Sequence, residues 1–84
     1  MTVFEGIREI LVEELTLKPE QVKLESKLNE DLGADSLDRA EIMLALEGKF
    51  LVNIPEEETK EIVTVSDIVK LVNHKLQART ASQS

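Results

Sequence analysis

The chain has 84 residues, with 17 acidic and 10 basic side chains, one histidine, two phenylalanines and no cysteine, tryptophan or tyrosine. That length suits a single small core, because a domain of this size buries only about 60% of its unfolded surface, and it leaves no room for a catalytic domain with a lid. The lack of cysteine excludes disulfides, thiolate metal sites and a cysteine nucleophile, so any thiol chemistry must come from outside the chain.

No apolar run approaches the roughly 20 residues of a membrane span, and the first residues do not read as a basic-then-apolar signal segment. The expectation is a soluble, cytoplasmic monomer. A net charge of −7 repels nucleic-acid phosphates and favours a partner with a basic surface. Residues 25–58 hold ten acids and three bases while the rest of the chain carries seven of each, so this segment accounts for the whole excess. It reads either as a solvated surface that serves solubility or as a face for partners.

Phe4, Ile7, Leu11 and Leu15 recur at spacings of three and four, with Val3 and Ile10 widening the stripe, which predicts an amphipathic helix from Val3 to Leu15. Thr2 and Glu5 have capping-box spacing at its start. Leu17-Lys18-Pro19 ends it, since proline disfavours helical backbone in the residue before it. A structureless connection over residues 16–35 is improbable in a small domain. Pro19 to Val22 suits one short helical turn, and Leu24, Leu28 and Leu32 are expected to pin a long loop to the core. Gly33 supplies the freedom to redirect the chain.

The second strong helix is expected over Ser36–Phe50, with Asp35 as N-cap and Asp38 in the positively polarised first turn. Ile42, Leu46 and Phe50 are its bulkiest candidates for burial. Apolar residues reach more than halfway round, so Leu37 and Leu44 are expected to stay exposed among carboxylates. Asn53-Ile54-Pro55 should turn the chain and place Pro55 at the first position of a short helix, Glu56 to about Glu61, held by Ile54 and Ile62. Thr64 and Asp67 repeat the capping-box spacing, and Val65, Ile68, Val69, Val72 and Leu76 form the inner stripe of a last helix. The small, polar residues 77–84 read as a frayed tail.

Ser36 is the residue that stands out for chemistry. A serine there is ordinarily just a helix-start residue. As a functional group it is an exposed hydroxyl open to covalent modification, and an attached phosphate would meet the N–H groups of the first turn, although the flanking carboxylates oppose that attraction. A nucleophilic role lacks support, because the only histidine, His74, falls in the surface pattern of the last helix. A calcium loop also fails: counted from Asn29, glycine is fifth instead of sixth and Ala40 stands where the bidentate acid belongs.

Gly33-Ala34-Asp35-Ser36-Leu37-Asp38, followed by Glu41 and Ala45-Leu46-Glu47, resembles the prosthetic-group attachment region of acyl carrier proteins of the bacterial type II fatty-acid synthesis kind. The likeness extends in family order through Ile7, Leu11, Leu32, Phe50, Ile54 to Glu58, Ile62 and Thr64-Val65, covering about residues 3–76. It implies an all-α, up-and-down four-helix bundle with three main helices, one short helix and a long first loop. An acyl carrier domain would occupy 1–76, followed by a flexible tail at 77–84. It also implies a 4′-phosphopantetheine arm donated by coenzyme A and carried on Ser36, with acyl intermediates held as thioesters and passed between enzymes of fatty-acid biosynthesis. Such a chain is a substrate of enzymes, not a catalyst.

On that reading Asp35, Asp38, Glu41 and Glu47 steer basic patches on a phosphopantetheinyl transferase and on acyl-loading and fatty-acid synthesis enzymes. Leu37 and Leu44 add apolar contacts, giving fast, weak association. A fatty chain costs about 0.8 kcal/mol per methylene to leave in water, so the chain is expected to enter the bundle. Arg39 and Gly48-Lys49 depart from the usual pattern of small, polar or acidic residues, blunt the acidic end of the recognition helix, and admit a specialised carrier. The rival readings are a polyketide, aminoacyl or peptidyl carrier, or an acidic helical interaction module without a prosthetic group.

Overall fold

The computed structural model describes residues 2–83, with side chains through Ala78. In chain order it comprises α1 (Val3–Leu15), a 3₁₀ turn (Pro19–Gln21), α2 (Ser36–Phe50), a one-turn helix α3 (Glu56–Thr59) and α4 (Val65–Gln83). Among the described residues the only β pairing is an isolated bridge between Lys27 and Thr64. The architecture is the expected all-α bundle with one short helix and a long first loop.

Each main helix begins with a reciprocal cap. Thr2 and Glu5 exchange backbone-to-side-chain bonds of 2.9 and 3.1 Å, Asp35 and Asp38 do so at 3.2 and 2.8 Å, and Thr64 and Asp67 at 3.0 and 3.2 Å. These bonds satisfy first-turn N–H groups that have no acceptor within their own helix. α1 and α2 end on left-handed residues, Thr16 at φ 53° and Leu51 at φ 55°, where the cap N–H donates back to Val12 O and Glu47 O.

α1 lies against both α2 and α4. The fully buried side chains are Ile7 and Leu11 of α1, Leu28 of the loop, Ile42 and Leu46 of α2, and Val65, Ile68 and Val72 of α4. Burial of each contributes about 1.5–3 kcal/mol. The helices meet closely at Gly6, where a Cβ would come within 2.9 Å of the Phe50 ring. Phe50 therefore lies across α1 and is only half-buried, not one of the deepest anchors.

The long loop is pinned, by a different set of residues from the three expected leucines. Leu28 and Leu32 are buried, but Leu24 is 47% exposed and Val22 takes the inward place. The spacing of four misleads here because residues 23–35 are not helical. Leu24 contributes its backbone instead: Leu24 O accepts from Ser66 N, and Ser26 O accepts from Val65 N. The loop thus supplies acceptors to the first turn of α4, and Leu28 N donates to Val63 O alongside them at 2.9 Å. Gly33, at φ +75°, makes the reversal that leads into α2.

Two boundaries differ from expectation. α3 is one turn long, and Pro55 is its N-cap, not its first residue, with extended backbone at φ −62°, ψ 154°. α4 continues through residues 77–83, which the composition predicts to fray; neither glycine nor proline interrupts that stretch. Ser84 lies outside the described residues. Among the described residues no helix is long and apolar enough to cross a membrane.

Candidate functional site

Leu32 and Ala34, 7% and 3% exposed, anchor the approach to α2, so the Asp35–Asp38 cap forms just outside the core. Ser36 is the first residue of the helix and is exposed. The cap is made by Asp35 and Asp38, which leaves the Ser36 hydroxyl unneeded for holding the helix start. Leu37 and Leu44 are each 67% exposed, and Glu41 and Gly48 are exposed on the same outer face, with Asp35 exposed and Asp38 half-exposed nearby. The structure therefore brings Asp35, Leu37, Asp38, Glu41 and Leu44 together on the outer side of α2, while Glu47 lies half-buried beside the groove.

Glu47 has a second use. Its Oε2 accepts from Ile54 N at 2.7 Å, so one of its oxygens fastens the α2–α3 connection. His74 is exposed on α4 and is not among the residues around Ser36.

A groove of about 350 Å³ opens beside Ser36 between α2 and α3. Ala40, Met43, Leu44 and Ile54 form much of its wall, with Arg39 and Thr59 also facing it. That volume lies at the small end of the roughly 300–1,000 Å³ of ligand pockets. Ser36, Ala40, Met43 and Glu47 fall at intervals of four, three and four, a single line along α2. The pattern was present in the sequence, but its significance depends on α3 lying opposite.

Arg39 does not stand on the outer face. Its Nη1 donates to Asn29 Oδ1 at 2.9 Å, and its Nη2 donates to Thr59 O at 2.8 Å and to Ile62 O at 2.6 Å. The charge is turned toward carbonyls at and beyond the end of α3. Lys49, the other departure, pairs with Glu9 of α1 at 3.4 Å. Each of these cations thus has a partner on another segment. α3 is also tied to α4 by Lys75 Nζ and Glu58 Oε1, 2.6 Å apart.

The displaced titrations belong to the caps. Backbone donation from Thr64 and Val63 holds the Asp67 carboxyl below its ordinary value of 3.8. Donation from the Thr2 backbone and hydroxyl does the same for Glu5, below 4.5. These are anchoring carboxylates rather than acid–base catalysts.

The structure therefore places an exposed serine at a capped helix start with an apolar groove beside it. Over residues 5–72 the chain matches the family described as "Phosphopantetheine attachment site", and it belongs to that family. Among its relatives is a protein of Wolinella succinogenes called acyl carrier protein, 53% identical over 72 residues that cover 86% of this chain and 95% of that one. Another of the same name from Campylobacter concisus is 51% identical over 72 residues, covering 86% of this chain and 94% of that one. The prosthetic group of the family is 4′-phosphopantetheine, and the site suits it: a hydroxyl for the phosphodiester and an adjoining apolar groove for what the arm bears.

Proposed function

We propose that this chain is an acyl carrier of fatty-acid biosynthesis and that Ser36 Oγ is the attachment point of its arm. The observation that supports this most strongly is the exposed Ser36 hydroxyl at the capped start of α2, opening onto the groove between α2 and α3. When attached, the arm supplies a thiol, on which acyl groups are held as thioesters. The chain's own residues do the rest.

Asp35 and Asp38 fix the first turn, so that every partner meets Ser36 in the same place. Ala40, Met43, Leu44 and Ile54 offer an apolar wall, with the flexible Met43 able to adapt to different occupants. Each methylene moved from water into the groove contributes about 0.8 kcal/mol. Asp35, Asp38, Glu41 and the free side of Glu47 steer basic patches of a phosphopantetheinyl transferase and of acyl-loading and synthesis enzymes, and Leu37 and Leu44 seat them. The chain acts as a substrate of these enzymes in the cytoplasm and performs no catalysis itself. Residues 1–76 are its carrier domain.

Incubation with coenzyme A and a broad-specificity phosphopantetheinyl transferase should raise the intact mass by one phosphopantetheine in the native chain and leave the Ser36→Ala variant unchanged. No gain in either would instead favour the acidic interaction module. Charge reversal at Asp38 or Glu41 should slow the same reaction, and unaltered kinetics would remove the docking face from the proposal.

A further inference from the structure

Arg39 projects from α2 three residues after Ser36, faces the same groove, and holds the opposite wall. α3 spans only Glu56–Thr59, far short of the 12–15 residues or so at which an isolated helix becomes even marginal in water. Its position must come from its attachments. Ile54 fixes the entry, being buried and held through its N–H by Glu47, and Lys75 of α4 holds α3 through Glu58. On the groove side the exit is held by the guanidinium, which bonds to Thr59 O and Ile62 O at 2.8 and 2.6 Å and is itself oriented by Asn29.

We infer that Arg39 is the latch that sets how far α3 can move away from α2, and hence the longest apolar chain the groove admits. Its planar fork can engage Asn29 and the two carbonyls together, whereas a lysine ammonium presents a point charge that reproduces only part of this. Arg39 lines the groove, and its guanidinium is bonded to Thr59 O and Ile62 O on the α3 side. Lengthening the occupant beyond the closed volume therefore requires the guanidinium bonds to break. This inference rests on the carrier reading for its cargo, but not for the latch itself.

The test compares the native chain with Arg39→Gln and Arg39→Lys. In the proteins without the arm, native-state hydrogen exchange at residues 58–62 should accelerate roughly tenfold or more in Arg39→Gln, the order expected for loss of bonds to a charged donor. Amides in the middle of α1 should keep their rates, and Arg39→Lys should fall between. Unchanged exchange in residues 58–62, or equal acceleration in all helices, would overturn the latch.

The second measurement loads each protein with a graded series of saturated acyl chains and follows thioester cleavage by hydroxylamine. Protection should rise with chain length to a limit, and that limit should move to longer chains in Arg39→Gln and partly back in Arg39→Lys. An identical limit in all three overturns the specificity role. If the native chain accepts no arm, the carrier reading fails by itself, and the exchange result still decides whether Arg39 is a latch.

Discussion

At the residue scale, some carboxylates of this chain anchor backbone N–H groups while others pair with cations or stand exposed. Asp67 receives N–H bonds from Val63 and Thr64, at 2.9 and 3.0 Å, so folding favours its charged form. Its pKa in the fold lies below the ordinary 3.8, so its contribution is complete above the unfolded value and is lost as pH falls through the lower folded one. Denaturant melts in a pH series should show Asp67→Asn less stable than the native chain at neutral pH, with the gap closing below about pH 4. Truncating the other half of this cap, Thr64→Ala, should cost about 1 kcal/mol. Ser36→Ala should stay within about 0.5 kcal/mol of the native chain, because the hydroxyl is exposed and the cap is made by its neighbours.

At the element scale, what was legible followed from contacts within one helix or turn. The capping boxes at Thr2 and Thr64, Asp35 as an N-cap, the inner stripes, and the exposure of Leu37 and Leu44 all follow from residue types at spacings of three and four, whereas the reciprocal bond from Asp35 N to Asp38 appears only in the structure. The positions of Val22, Leu24, Arg39 and Glu47 were not legible, because their partners are distant in sequence or their segment has no period. Arg39 reads as a surface charge until Thr59 and Ile62, 20 and 23 residues on, are placed against it. The loop makes this testable. Leu28→Ala, at a fully buried position, should cost about 2–5 kcal/mol, whereas Leu24→Ala, at a residue 47% exposed, should cost well under half of that. Equal losses would mean that the spacing, not the observed burial, describes the loop. On α2, a Cβ at Gly48 would meet nothing within 4 Å. Gly48→Ala should therefore raise stability by about 0.5–1 kcal/mol in thermal or denaturant unfolding.

At the scale of the whole molecule, a net charge of −7 concentrated in residues 25–58 acts in two directions. Added salt screens repulsion among like charges and should raise the melting temperature of the isolated chain. The same salt should slow its association with a basic partner, since steering across more than about 10 Å is screened at 0.1 M. Opposite signs in these two measurements would mark the acids as a recognition surface that the fold tolerates at some cost. If salt changed neither, the acids would be solubilising only.

The central claim is that one of ten serine and threonine hydroxyls carries the arm. After enzymatic modification with coenzyme A, fragmentation of the chain by tandem mass spectrometry locates the added group directly. All of the added mass should reside on Ser36; finding it on any other hydroxyl would contradict the account.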